Sequence, residues 1–241
     1  MKEVRYFYVP NASEVNELPS EEATHALRVL RLKSGDEMVL MDGVGAFYHS
    51  EVTMANNKHC LYHIKEELHP SRTWKNKIHL AVAPTKMIER MEWLAEKATE
   101  VGFDELSFLD CRFSERRVIR EDRIDKIVVS AMKQSRKPWK PVVNAICSFD
   151  DFIKKTSVGH RYIAHCYEEI EKKDLFKELQ QINDKEDITV MIGPEGDFSI
   201  DEVQQALDAG FVSVSLGASR LRTETAALYG VMMANLVVRN E

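Results

Sequence analysis

Apolar and polar positions change rhythm about one third of the way along the chain. Over 46–54 they partly alternate, the period of a half-buried strand, and the run 37–41 ahead of it ends at Asp42-Gly43, a dipeptide that suits a turn between antiparallel strands. With a further candidate strand at 60–64, these residues predict a small β module. The polar stretch 66–77, which holds Pro70 and Ser71, predicts a linker, so the expected domains are 1–72 and 73–241. Beyond the linker, mainly apolar runs at 78–83, 105–109, 161–165, 188–192 and 211–216 alternate with helical periodicity at 86–101, 121–135, 201–209 and 223–239. In 86–101, Met87, Met91, Leu94, Ala95 and Ala98 fall on one face, and Gly102 follows where a C-terminal cap belongs. Apolar strands separated by helices predict an α/β layer with a mostly parallel sheet. The apolar run 226–234 stops at Asn235, short of the ~20 residues of a membrane span, and reads as a buried helix.

Composition narrows the function classes. The 241 residues are 44% hydrophobic and 30% charged with 10 Gly and 7 Pro, the balance of a folded globular protein and not of a disordered one. A net charge of -6 excludes a chain that is basic throughout, so affinity for nucleic acid must come from a local patch. Residues 112–140 supply one, with ten Lys/Arg, Arg112 and Arg116 among them, against four Asp/Glu. Trp139 beside it is placed to stack on an unpaired base. A smaller cluster, His25, Arg28, Arg31 and Lys33, spans nine residues and at helical spacing offers a face for phosphates, with a solvated helix surface as the alternative. Cys60, Cys111, Cys147 and Cys166 form no Cys-x-x-Cys pair, so reduced thiols and a cytoplasmic location are expected. The first eighteen residues carry charges and a Pro where a signal peptide is apolar. His59-Cys60 with His63 matches metal spacing loosely, His79 and His165 read as hydrogen-bonded core histidines, and no metal is assigned.

Two segments carry chemistry. In 188–202 an apolar strand ends in Gly193-Pro194-Glu195-Gly196, and Ser199 with Glu202 forms a capping box for the helix that follows. A loop at the carboxyl end of such a strand is a common ligand site, and glycines let the backbone approach a ligand; a tight strand-to-helix turn is the alternative. Neither Gly-x-Gly-x-x-Gly nor Gly-x-x-x-x-Gly-Lys occurs. In 216–226, Arg220, Arg222, Thr223, Glu224 and Thr225 crowd a second strand exit. Thr223 is expected to cap the last helix and Glu224 to suit its dipole, whereas the cation Arg222 opposes that dipole and is better matched to a substrate carbonyl, a phosphate or a carboxylate.

Taken together, IGPEGDFS and LGASRLRTETA, with the lead-in VAPTKMIERMEWLAEKATEVGFDEL and the earlier HALRVLRLKSGDE, resemble the bacterial 16S ribosomal RNA uridine-N3 methyltransferases of the SPOUT superfamily over nearly the whole chain. The resemblance implies a PUA-like β-barrel for RNA, followed by an α/β methyltransferase domain with a C-terminal trefoil knot. It also implies S-adenosylmethionine as cofactor, a homodimer, and 16S ribosomal RNA in the small subunit as partner. By position it implies cofactor contacts from Thr85, Ile192, Gly193, Pro194, Glu195, Gly196, Leu216, Gly217, Leu221, Arg222 and Thr225, with Arg222 catalytic. RNA contacts fall to Arg5, His25, Arg28, Arg31, Lys33, Arg112, Arg116, Gln134 and Arg136. The family stretch Glu-Gln-Ser-x-Arg reads Lys133-Gln134-Ser135-Arg136-Lys137 here, and Asp197 stands where the family often has Gly. Uracil N3 is protonated near neutral pH, so a base is needed, and Glu195 and Glu224 are both candidates with structural roles of their own. The last helix, with Met232, Met233, Leu236 and Val237, is the expected dimer surface. Two alternatives stand beside this reading, a catalytically silent RNA-binding assembly factor and an enzyme of the same fold acting on ribose 2′-hydroxyls or on tRNA.

Overall fold

In the computed structural model, which describes residues 5–183 and 185–240, the N-terminal third forms a four-stranded sheet in the order β1 (Arg5–Tyr8), β2 (Glu37–Met41), β3 (Phe47–Ala55), β4 (Cys60–Leu68). β1 joins β2 in parallel and the other pairs are antiparallel. Met38 to Met41 are all buried because β2 is central, whereas β3 buries Tyr48, Ser50 and Val52 in alternation. Asp42 makes the β2–β3 turn, its Oδ1 accepting the N–H groups of Val44, Gly45 and Ala46 at 2.8 to 3.0 Å. The Leu18 N–H donates to Cys60 O, and the Tyr62 N–H to Asn16 O. The stretch just after the β1 edge thus pairs along β4 at the other edge, curling the sheet on itself. Tyr62 lies inside, where burial and, secondarily, Tyr48 push its phenol up to about 12. β4 runs on to Leu68, taking Glu66 and Glu67 out of the expected linker, because these exposed residues pair with the start of β3.

Helix α1 (Ser20–Thr24) passes directly into a π-helical turn, His25–Val29, and the chain then reverses at Arg31, whose φ is 55°. Arg31 and Lys33 lie beyond the last helical residue, so the expected helical face with His25 and Arg28 does not form. The first of two compact units comprises Met1–Arg72 and Val129–Lys140. In it, Lys133 Nζ pairs with Glu22 Oε1 at 2.6 Å, and the Trp139 indole abuts Gly45 while the Arg72 guanidinium lies over its ring at 5.9 Å. Trp139 is therefore a packing residue with one face covered, not the open stacking platform expected.

The second unit, Thr73–Val128 and Pro141–Glu241, holds the remaining elements. These are β5 (Ile78–Val82), α2 (Ile88–Val101), β6 (Glu105–Asp110), α3 (Glu121–Ser135, whose second half belongs to the first unit), β7 (Val142–Val143), β8 (Cys147–Ser148) and α4 (Phe149–Lys155). β9 (His160–Ala164), β10 (Lys173–Asp174), α5 (Leu175–Leu179), β11 (Ile188–Ile192), α6 (Ile200–Asp208), β12 (Val212–Ser215) and α7 (Thr223–Val238) complete it. The sheet order is β10-β12-β9-β11-β5-β6-β7 with β8 against β6, and every pair is parallel. β11 is buried at every residue, as a strand covered on both faces must be: Ile188, Val190 and Ile192 join the core under α2 and α7, and Met191 joins the core with Phe149, Phe198 and Val203. Among the described residues no helix is long and apolar enough to cross a membrane.

His79 Nε2 and His165 Nε2 lie 2.8 Å from the hydroxyls of Ser107 and Ser213, and burial holds both imidazoles below the usual histidine value. Both take up a proton at lower pH in the folded state than in the unfolded chain, where histidine protonates near pH ~6.5. Their contribution to stability is thus complete above that pH and is lost as pH falls below it, by up to about 1.4 kcal/mol per pH unit for each histidine. Thermal melts from about pH 7.5 down to about pH 5 should show this fall, and the double variant His79→Gln/His165→Gln should flatten it. An equal slope in the double variant would assign the acid sensitivity elsewhere.

Candidate active site

Because β5, β9, β11 and β12 are parallel and adjacent through the order β12-β9-β11-β5, their carboxyl ends share one edge of the sheet. The loops 83–87, 193–199 and 216–222 all leave from that edge, the usual ligand side of an α/β sheet. Side chains tie the loops together. Glu195 Oε1 accepts the Lys86 N–H at 3.0 Å, and Asp197 Oδ2 accepts the Cys166 N–H at 2.7 Å. Arg116 donates through Nε to Thr85 O at 3.1 Å and through Nη2 to Lys86 O at 2.6 Å. Thr85 is fully buried and its hydroxyl donates to Met87 O, so what it offers this edge is backbone.

The glycines of the first loop have reasons internal to the chain. A Cβ on Gly193 would stand 2.9 Å from Phe198 N, and one on Gly196 would stand 3.1 Å from Phe113 Cβ. Close packing of the chain on itself therefore demands small residues here, which is the tight-turn alternative. Asp197 takes φ 67°, a left-handed conformation that Asp tolerates, and its Oδ1 accepts the Phe198 N–H at 2.8 Å. Ser199 and Glu202 form the capping box as expected, Ser199 Oγ accepting the Glu202 N–H and Glu202 Oε2 accepting the Ser199 N–H. In the second loop Gly217 has φ 109° with open space beside it. Among the described residues, the N–H groups of Ala218, Ser219, Arg220 and Leu221 donate to no protein acceptor.

At the start of α7 the N-cap is Arg222, in extended backbone and with no side-chain bond to the helix end. Thr223 is instead the first helical residue and is buried, so it does not cap; an N-cap needs non-helical backbone, and Arg222 holds that place. Glu224 is 8% exposed. Its Oε1 lies 3.7 Å from Arg90 Nε, and its Oε2 is sealed from solvent with no hydrogen-bond donor in the protein. Leaving a buried carboxylate oxygen unmatched costs about 1–3 kcal/mol. An open cleft of about 590 Å³ is lined by Glu89, Arg90, Trp93, Arg222, Glu224 and Thr225. Arg90 and Trp93 were not expected at a site. They stand three residues apart in α2, off the face that Met91, Leu94 and Ala98 bury, and that break in the apolar stripe is the signal that marks them.

The remaining candidates divide between the two units. In the first, Arg5 and His25 are exposed, Arg28 and Lys33 line an open cleft of about 470 Å³ with Leu27, Leu32 and Asn57, and Arg31 is exposed at its positive φ. Gln134 is exposed, and Arg136, at φ 54°, lies over the Tyr6 ring at 5.2 Å. In the second, Arg112 pairs with Asp201 at 2.8 Å and its N–H donates to Glu202 Oε1. Arg112 and Arg116 therefore brace the loops around the site. Ile192 is buried, Leu216 and Leu221 are half-buried, and Gly217 and Thr225 are exposed. Among the described residues no three His, Cys, Asp or Glu side chains converge as a metal site.

A family model described as an RNA methyltransferase domain matches residues 72–235, and one described as an RNA methyltransferase PUA domain matches residues 18–64. The Aquifex aeolicus protein named ribosomal RNA small subunit methyltransferase E is 31% identical over 208 residues, covering 83% of this chain and 86% of its own. The crystal structure of a probable rRNA-methyltransferase from Porphyromonas gingivalis is similar at TM-score 0.90 and 39% identity over 98% of each chain. Ribosomal RNA small subunit methyltransferase E from Neisseria gonorrhoeae, solved bound to S-adenosyl methionine, is similar at TM-score 0.83 and 27% identity over 98% of this chain and 99% of that one.

Proposed function

We propose, because the chain belongs to the RNA methyltransferase family, that it moves the methyl group of S-adenosylmethionine onto N3 of a uridine in the 16S ribosomal RNA of the small ribosomal subunit. The observation that carries this reading is the junction at the carboxyl edge of the sheet. Loops 83–87 and 193–199 are braced to one another there, the N–H groups of 218–221 find no protein acceptor, and Arg222 ends that loop at the mouth of the 590 Å³ cleft. The residues fit the cofactor. Backbone of Thr85, of 192–196 and of 216–221 would hold it, and when bound it supplies an electrophilic methyl group. Arg222 binds the uracil carbonyl or its phosphate and stabilises charge that develops there, since a fixed cation acts more strongly in a water-poor pocket than in solvent. Positioning by the two loops supplies much of the remaining rate.

The finer architecture belongs to the same proposal. Residues 1–72 act as the PUA-like barrel that grips RNA, with Arg5, His25, Arg28, Arg31 and Lys33 as phosphate and positioning contacts, joined by Gln134 and Arg136 from the segment Val129–Lys140 of the same compact unit. Residues 73–241 form the methyltransferase domain, whose C-terminal part we read as a trefoil knot; the late strand β11 inserted between β9 and β5 supports that reading. The enzyme works in the cytoplasm as a homodimer. Exposed Tyr229, Met232 and Leu236 on α7 support the dimer, whereas Met233 faces the core and drops out of the expected contact surface. Met232→Glu/Leu236→Glu is expected to give a folded monomer by sedimentation, with activity reduced at least about tenfold if the site needs both subunits. A variant that stays dimeric would move the interface elsewhere.

The reaction is tested by incubating the protein with labelled S-adenosylmethionine and small subunits from cells lacking this enzyme, then digesting the RNA. Label in N3-methyluridine is expected. Label in a different nucleoside would keep the methyltransferase and overturn the target, and cofactor binding without label would favour a silent RNA-binding factor.

A further inference from the structure

We propose that the cleft between the first turns of α2 and α7 is the pocket for the target uracil, and that Glu224 is the base that removes its N3 proton; this rests on the methyl-transfer reading above. The two candidate carboxylates are in opposite situations. Glu195 is exposed, and its Oε1 already accepts the Lys86 N–H, so it holds a loop together. Glu224 is more than nine-tenths buried, with Arg90 beside one oxygen and no donor in the protein for the other. It lines the same cleft as Arg222, two residues before it at the N-cap of α7.

The uracil edge asks for that set of groups. It presents an N3–H donor between two carbonyl oxygens, so its complement is one acceptor flanked by two donors. Glu224, with Arg90 and Arg222 lining the same cleft, supplies an acceptor and two guanidinium groups, and the half-exposed indole of Trp93 in that cleft offers a face for stacking. Cytosine would set its N3 lone pair against the carboxylate, so the set also selects uracil over cytosine. In the reaction the Glu224 carboxylate takes the N3 proton. The N3 electron pair forms the new N–CH3 bond as the C–S bond breaks, and the pair from that bond stays on sulfur. A sulfonium cation and a carboxylate anion thus become a neutral thioether and a neutral carboxylic acid.

The test compares the full-length wild type with Glu224→Gln in single-turnover methylation of small subunits from about pH 6.5 to about pH 10, beside calorimetric cofactor binding and RNA binding. At neutral pH the variant is expected to be about 10²–10⁴-fold slower, with cofactor and RNA affinity within about threefold of wild type. The deficit should shrink about tenfold per pH unit as N3 loses its proton to solvent base, and shrink likewise on RNA carrying 5-fluorouridine, whose N3–H is more acidic. An equal rate, a deficit constant across pH, or a loss confined to cofactor affinity would overturn the assignment. If the glutamine variant does not fold, Glu224→Asp keeps the charge and withdraws it by one methylene, and the same outcomes apply to it. Wild-type product other than N3-methyluridine would instead defeat the methylation reading itself.

Discussion

An Arg222→Ser variant is expected to melt at a higher temperature than the wild type and to be nearly inactive. The stability half of this result follows from the N-cap. Arg222 has the extended backbone of an N-cap residue, φ -72° and ψ 156°, but contributes no hydrogen bond to the four unmatched N–H groups of α7. Its guanidinium also stands at the positive end of a 16-residue helix. Serine would supply the missing acceptor, worth about 1 kcal/mol, and removing the cation would add about 0.3–1 kcal/mol. The activity half follows from charge. A donor aimed at oxygen atoms that gain negative charge in the transition state is worth about 10²–10³ in kcat, whereas cofactor held by backbone groups should bind within about threefold of wild type. Differential scanning fluorimetry, single-turnover rates and cofactor titration on one preparation decide the matter. A variant with wild-type turnover would remove Arg222 from the chemistry, and one that melts lower would show that its side chain is structural.

That combination, a residue poor for its helix and good for a substrate, was legible in the amino-acid sequence, because the dipole argument needs only the order of residues at the start of α7. The strands β2, β5 and β11, helix α2 with its Gly102 cap and the Ser199/Glu202 box were legible for a similar reason: each rests on period, cap or turn chemistry within a dozen residues. What long-range contacts decide was not. β1 exists because Arg5 to Tyr8 pair in parallel with Met38 to Met41, some thirty residues on, and α4 and α5 are too short to show a helical period. The π-helical turn replaced the regular helix on which the His25, Arg28, Arg31 and Lys33 face depended. Lys133, which departs from the family's acidic residue, finds its reason in half-buried contact with Glu22, 111 residues away. Glu224 read as a dipole partner from local order alone; only the fold brings Arg90 to it and leaves its second oxygen unmatched.

Gly193→Ala is expected to weaken cofactor binding by at least about thirtyfold, near 2 kcal/mol, while Gly196→Ala changes it by no more than about threefold. The two glycines look alike in the sequence, and what each faces separates them. The new methyl carbon at Gly193 would lie 2.9 Å from backbone N and 3.1 Å from the ring of Phe198, and that ring is fully buried, stacked at a tilt on Phe149 with centroids 5.7 Å apart. Phe198 has nowhere to retreat, so the backbone of 193–198 must move. That backbone already holds Asp197 at a positive φ and is braced through Asp197 to Cys166 and through Glu195 to Lys86, so displacement at one point disturbs the wall that three loops share. At Gly196 the one close neighbour is the Cβ of Phe113, 3.1 Å away, with the next atoms at 3.8 Å, so a backbone shift of a few tenths of an ångström at the exposed Arg112-Phe113 pair relieves it. Calorimetric titration of both variants with S-adenosylmethionine reads the difference directly. Equal affinities for wild type and Gly193→Ala would mean that loop 193–199 is a tight strand-to-helix turn and no more, and would return the cofactor wall to the 83–87 and 216–222 loops.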